Sequence, residues 1–268
     1  MKLGYNGISF VAERYRVDRE DDMRKKMNRT RVIILIVAAL TVEVPSLIVY
    51  SYYDRARKSE QLLPAITSGN TDKAIWLLKS GADANYVGPY GARRVAAIEA
   101  ACNFRNPVVV RYLLSHGVKG WIVGEDKASL IRSTVERSDI ASPEKCNEIM
   151  QMLIDHGADV NAVNTYHFAP ILVAVVWEEN DAVKFLINHG ANVNVTTTTG
   201  ISPLLTATDT GKTYAVRLLL NAGADLSKCG TTFEKLIALA QEYDYKETVA
   251  ILKDAMAKRR TSASSTKK

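Results

Sequence analysis

The feature that most restricts what this chain can fold into is a five-residue turn that keeps returning. Gly81-Ala82-Asp83-Ala84-Asn85 recurs as Gly157-Ala158-Asp159-Val160-Asn161, as Gly190-Ala191-Asn192-Val193-Asn194 and, in part, as Gly223-Ala224-Asp225. Gly117 closes a further copy whose turn has diverged, and the five glycines stand 36, 40, 33 and 33 residues apart in chain order. Residues 200–225 show one unit in full. Ser202-Pro203 opens a short helix, because proline suits a helix's first turn. Ala207 and Thr208 give that helix a narrow face, and Gly211 ends it. Residues 213–222 read as a second helix with Val216, Leu219 and Leu220 at helical spacing, stopped by Gly223. A unit of helix, turn, helix and hairpin cannot bury its own apolar face, so it requires copies on both sides. The expected fold is an all-α solenoid.

Period and motif together resemble the ankyrin-repeat family, whose unit is 33 residues. Ala169-Pro170-Ile171-Leu172 and Ser202-Pro203-Leu204-Leu205 are similar to that family's Thr-Pro-Leu-His step, with leucine where the family has histidine. The resemblance covers about residues 59–255 and implies five to six helix-turn-helix-hairpin repeats. The first lacks a full leading turn and reads as a cap, with Trp76 on the inward stripe of its helix. The second carries a long hairpin tip over residues 86–95. The third is irregular: residues 128–136 read as its first helix, 145–156 as its second, and 138–143 (SDIASP) interrupt it. The sixth, residues 231–255, is polar enough to serve as a terminal cap.

Ahead of the repeats the pattern changes. Residues 1–31 are dense in charge and end in a basic cluster of Arg24, Lys25, Lys26, Arg29 and Arg31. Residues 32–50 (VIILIVAALTVEVPSLIVY) are apolar except for Glu43, and about 20 such residues cross a bilayer. Tyr50, Tyr52 and Tyr53 follow, as aromatics do at a membrane interface. We read residues 32–53 as a single transmembrane anchor, against a cleavable signal peptide or a buried soluble helix, and 54–58 as a short polar linker. Lys and Arg are more numerous before the span than after it. By the positive-inside rule the N-terminus is expected in the cytoplasm and the repeats across the membrane. Glu43 at membrane depth is a candidate contact with a partner helix; the alternative is a protonated side chain, or one watered by a kink at Pro45-Ser46.

The formal net charge of +6 is carried by the ends. Residues 59–255 hold 18 Lys/Arg against 22 Asp/Glu, so the repeat body is mildly acidic and unsuited to nucleic acid. Residues 256–268 (MAKRRTSASSTKK) read as a disordered basic tail. Cys102, Cys146 and Cys229 have no metal-like spacing and are expected to be structural.

No catalytic constellation stands out. No nucleophile elbow, Walker loop or dinucleotide fingerprint is present, so no catalytic residue, cofactor, metal or small-molecule substrate is expected. His116, His156 and His189 each precede a repeat glycine, which puts them in a column along the solenoid. Neighbouring helices lie about 8–10 Å apart, whereas zinc ligands sit about 2 Å from the ion, so these histidines read as helix C-terminal caps. What remains is surface. The resemblance implies that a protein partner docks on the concave side, on hairpin tips and first helices. The candidates there are Tyr86, Tyr90, Arg93, Arg94, Tyr166, His167, Thr198 and Thr199, with Trp177 and Glu178 on the turn after the fourth repeat's first helix. The expected function is a membrane-anchored, non-enzymatic binding module. The alternatives are oligomeric assembly through the membrane helix, or an envelope immunity protein that sequesters an effector.

Overall fold

The fold is taken from a computed structural model, which describes residues 46–118, 122–123, 128–136, 142–227 and 230–265. Contacts divide the chain into two units, residues 1–57 and residues 58–268. Residues 1–45, which include Glu43 and most of the expected anchor, lie outside the described residues, as does Cys229. The described part of the first unit is helical, with Tyr50, Tyr52 and Tyr53 exposed. No helix among the described residues is long and apolar enough to cross a membrane.

The second unit is a stack of helix pairs. Helix α1 (Ser46–Thr67), of which residues 58–67 belong to this unit, leads into α2 (Thr71–Lys79). The pairs α3 (Ala97–Asn103) with α4 (Pro107–Ser115), α5 (Leu130–Val135) with α6 (Pro143–Asp155) and α7 (Pro170–Val176) with α8 (Asn180–Asn188) follow. The last two are α9 (Pro203–Asp209) with α10 (Thr213–Asn221) and α11 (Phe233–Glu242) with α12 (Lys246–Ser265). The short first helices α3, α5, α7, α9 and α11 pack in one row, and the second helices α2 to α12 in another. Between the rows runs one apolar core. The stripe read from sequence lies in it, with Val216 and Leu219 fully buried beside Ala215, while Leu220 is half-buried. Each such leucine contributes about 1.5–3 kcal/mol by leaving water.

Two antiparallel hairpins project from the row of first helices. Strand β1 (Val87–Tyr90) pairs with β2 (Arg93–Ala96), Gly88 opposite Val95, and β3 (Ile122–Val123) pairs with β4 (Ala128–Ser129). The first is the long tip expected from sequence. Pro89 has no backbone N–H to offer a further strand, and the Arg94 guanidinium donates to the Val87 carbonyl.

The recurring pentapeptide now has a physical account, residue by residue. The glycine takes a left-handed backbone, with φ from +79° to +100° at the five positions, which lets the helix stop. The alanine after it donates back to the last turn, as Ala158 N to Leu153 O (2.9 Å) and Ala224 N to Leu219 O (3.0 Å), and is too small to prevent the close approach. The Asp or Asn side chain accepts from the residue two on: Asn161 N to Asp159 Oδ1 (2.8 Å), Asn194 N to Asn192 Oδ1 (2.9 Å). The final Asn reaches the next unit. Asn161 Oδ1 accepts from Asn192 N (2.7 Å), and Asn194 Oδ1 from Asp225 N (2.6 Å). The motif is thus both a helix stop and a rung between neighbours.

Three expectations are corrected. Residues 54–58 are not a linker but lie within α1, and their Asp-Arg-Ala-Arg-Lys composition favours helix. Residues 256–265 are not without structure; they continue α12, where Arg259 lies 5.3 Å over the Phe233 ring and donates to the Ala224 carbonyl. Trp76 is not core: it is 60% exposed. At the same helical position Tyr112 and Phe185 stack under His116 and His189, each pair 4.0 Å between centroids. Four residues after Trp76 stands Ser80, too small to cover it.

Candidate functional site

The sequence candidates separate into three places. The β1–β2 hairpin holds four of them. Tyr86 is half-buried at its base, and burial raises its phenol pKa, with Glu60 adding to the rise and Arg94 opposing it. Tyr90 is exposed and meets Phe104 edge-on at 5.9 Å. Arg93 reaches back to Glu99 on α3 (3.5 Å), and Arg94 holds the Val87 carbonyl. The Glu99 carboxylate is buried while Arg93 stays exposed, so the hairpin is tied down by a charge it covers.

The second place is formed by the neighbouring tips ahead of α7 and α9. Asn164 Oδ1 accepts from Tyr166 N (3.0 Å) and Phe168 N (2.9 Å), and His167 between them takes φ +60°. In the next tip Thr197 Oγ1 does the same work, accepting from Ile201 N (3.1 Å) and meeting Thr199 Oγ1 at 2.9 Å. Thr198 N donates to Tyr166 O (3.3 Å), which joins the two tips. Fixed from below, this pair of tips presents Tyr166 (61% exposed), Ile201, His167, Thr198 and Thr199 to solvent. It carries no charged side chain at its summit, so it suits an apolar or hydrogen-bonding contact.

The third place is the far end of α7. Trp177 caps that helix and is 43% exposed, and Glu178 follows with φ +59°. A seven-residue helix is about 10 Å long, so these two stand apart from the tips. Lys212 of the next pair donates to the Val175 carbonyl (3.0 Å) and to that of Val176, satisfying the helix end beneath the indole.

Sequence reasoning placed Glu179 in the turn beside Trp177 and Glu178 but missed Arg105 and the pair the two form behind this surface. Arg105, in the turn after α3, pairs with Glu179, in the turn after α7, and their side chains are only 1% and 12% exposed. A signal existed: Arg105 and Glu178 occupy turns where Gly69 and Gly211 stand in other units. The histidine column behaves as read. Each Nδ1 lies against the carbonyl four residues back, Tyr112, Met152 or Phe185, at 2.7–2.8 Å. Among the described residues no group of three or more His, Cys, Asp or Glu side chains converges as a metal site would. Cys102 and Cys146 are buried thiols, each pushed up to about 12 first of all by that burial.

A model of the family described as ankyrin repeats (3 copies) matches residues 172–261, the stretch from within α7 to within α12. Residues 172–261 are ankyrin repeats. The helix pairs continue on the N-terminal side of the matched stretch with the same turn chemistry, as the Gly81 and Gly157 turns show. Ankyrin repeats are protein–protein interaction modules and in general carry no enzymatic activity. No curated protein matches the chain.

Proposed function

We propose that this ankyrin-repeat protein is a membrane-anchored binding module that captures a protein partner on its hairpin tips. The observation that carries the reading is the joined pair of tips at Tyr166 and Thr198, where an exposed aromatic side chain sits on backbone already fixed by hydrogen bonds. Rigid tyrosines are the residues that anchor protein interfaces at low entropic cost. The β1–β2 hairpin, with Tyr90 and Arg93, is the second contact region. The test compares full-length Tyr166→Ser with the back-surface control Trp76→Ser in cross-linking on intact cells. A specific cross-linked species lost with the first and kept with the second supports the reading; equal loss, or none with either, removes the tips from it.

The anchor is residues 32–53, on the strength of the apolar run, the tyrosines that follow it and the basic cluster before it. The N-terminus is then cytoplasmic and the repeats lie across the membrane. A reporter active only outside the cytoplasm, fused after Lys268, gives signal if this is so and none if the orientation is reversed. Glu43 motivates a second reading, assembly through the membrane helix. Glu43→Leu that abolishes oligomers while leaving cross-linking intact favours that role, and an unchanged oligomeric state removes it. With the repeats outside the cytoplasm, sequestering an effector in the envelope is the specific form that capture takes.

A further inference from the structure

Side-chain links between helix pairs in this protein obey a distance rule. Asn106 Nδ2 donates to Thr71 Oγ1 (2.8 Å) across 35 residues of chain, and Thr213 Oγ1 meets Thr248 Oγ1 (2.8 Å) across 35. Lys212 bonds the Val175 carbonyl across 37 residues, and His189 Nε2 meets Gln151 Oε1 (3.0 Å) across 38. Each spans one repeat period. Arg105 and Glu179 are separated by 74 residues, which is two.

The intervening unit is the irregular one. Helix α5 packs against α3 on one side and α7 on the other, so it lies between the two units that the pair joins. Elsewhere a three-residue turn with a left-handed member connects the two helices of a unit, as at Gly69, Arg105, Glu178, Gly211 and Asp244. In the third unit, α5 ends at Val135, its cap Glu136 is right-handed (φ −69°), and α6 starts only at Pro143. The ordinary turn, which would stand at the level of Arg105 and Glu179, is replaced by a longer connection. Cys146 on α6 lies within the field of both charges, Arg105 lowering and Glu179 raising its pKa beneath the larger effect of burial.

We propose that Arg105 and Glu179 form a clasp that spans the third helix pair and makes pairs two to four open as one cooperative block. A solenoid with nearest-neighbour contacts alone comes apart at its weakest unit. A buried ion pair that skips that unit removes the independence of its two neighbours, because opening the third pair then strands a charge on each side. The clasp also fixes a distance on the surface. Tyr90 packs on Phe104, the residue before Arg105, and Trp177 and Glu178 directly precede Glu179. A partner that touches both the second unit's hairpin and the fourth unit's turn therefore meets a set spacing rather than a hinge. The inference stands whether or not the tips are the docking site.

Hydrogen exchange on the full-length chain over a urea series tests it, with protection followed separately in α3, α5, α7, α9 and α11. In the unaltered protein α3, α5 and α7 lose protection at one urea concentration. In Glu179→Gln, α5 exchanges at least about tenfold faster while α9 and α11 stay within about twofold, as expected for an uncompensated buried charge confined to the block. Arg105→Glu combined with Glu179→Arg restores the common opening. The left-handed backbone at 105 admits glutamate, as Glu178 shows with φ +59°. Unchanged α5 exchange in Glu179→Gln overturns the proposal, as does uniform acceleration across all five helices. If Glu179→Gln does not fold, the reversed pair decides: common opening of α3, α5 and α7 supports the clasp, and failure to fold or separate opening overturns it.

Discussion

The third to fifth units and the second to fourth units are held together in different ways. In the former, each unit is joined to the next by a backbone N–H on a side-chain amide, Asn192 N on Asn161 and Asp225 N on Asn194. These rungs are short-range, neutral and repeated, and Lys212 on the Val175 carbonyl adds a charged link beside them. Between the second and third units no such rung is found among the described residues, and the diverged turn after Gly117 has no Asp or Asn at the next two positions. The second and fourth units are joined by one charged pair, buried and two periods long, while the second and third share the exposed Arg111–Glu148 pair. Many weak rungs tolerate the loss of any one of them. A single buried ion pair does not, because removing one partner leaves the other in a medium that cannot solvate it. The rungs are redundant, and the buried pair is not.

The sharpest way to break the comparison is Arg105→Ala, which leaves the Glu179 carboxylate buried without its guanidinium. A loss of roughly 3–5 kcal/mol is expected, read as a lower urea midpoint with the transition split in two. Next comes Gly211→Ala. Its left-handed backbone (φ +67°) costs an alanine about 1–2 kcal/mol, and the added Cβ would stand 2.7 Å from the Tyr245 ring. The converse change, Glu178→Gly, relieves the same backbone penalty and is expected to leave the midpoint equal or slightly higher. Asn194→Ala removes one rung and is expected to cost about 1 kcal/mol, with hydrogen exchange at Asp225 the direct readout. Arg111→Ala, which breaks an ion pair with side chains 67% and 42% exposed, is expected to change stability by less than about 0.5 kcal/mol.

The thiols give the smallest effect and a useful reporter. Cys102 and Cys146, raised by burial from 9.0 to about 12, are expected to resist alkylation in the folded protein at pH 8 and to label once the middle block opens. Their burial favours the fold fully below pH 9. In the unfolded chain the thiols ionise above that pH, so this contribution falls away as pH rises from 9 to 12. A urea midpoint independent of pH between 9 and 11 would contradict that assignment.

Much of the fold was legible because the period and the turn are local. Glycine with a left-handed backbone, a proline at the first helical position and an Asp or Asn two residues before a donor leave marks that survive in any copy. The rung made by Asn161 and Asn194 was visible as a repeated letter, but its acceptor role depends on where the next unit lies, which a single unit does not state. The clasp was less legible still. Arg105 and Glu179 are ordinary charged residues in turns, and only the packing of α3, α5 and α7 shows that they meet. Trp76 failed for a related reason: its burial depends on the side chain one turn later, and there the chain has Ser80. Of the candidate site, the residue types at the tips were readable, while their division among the β1–β2 hairpin, the Tyr166–Thr198 pair and the end of α7 came from register and helix length.

The amide ladder has a direction, and direction implies a rule for growth. In both rungs the later unit's backbone N–H donates and the earlier unit's asparagine Oδ1 accepts, with Asn161 Nδ2 also donating to the Gly190 carbonyl, so a unit ending in asparagine carries the instruction for its successor. A 33-residue duplication that begins after Asn194 and ends on another asparagine would arrive with its donor facing an existing acceptor and its own acceptor facing Asp225. Such a chain lengthens by copying without any compensating change. No copying event of that kind can build the clasp, whose two halves lie in different units and had to be matched by substitution.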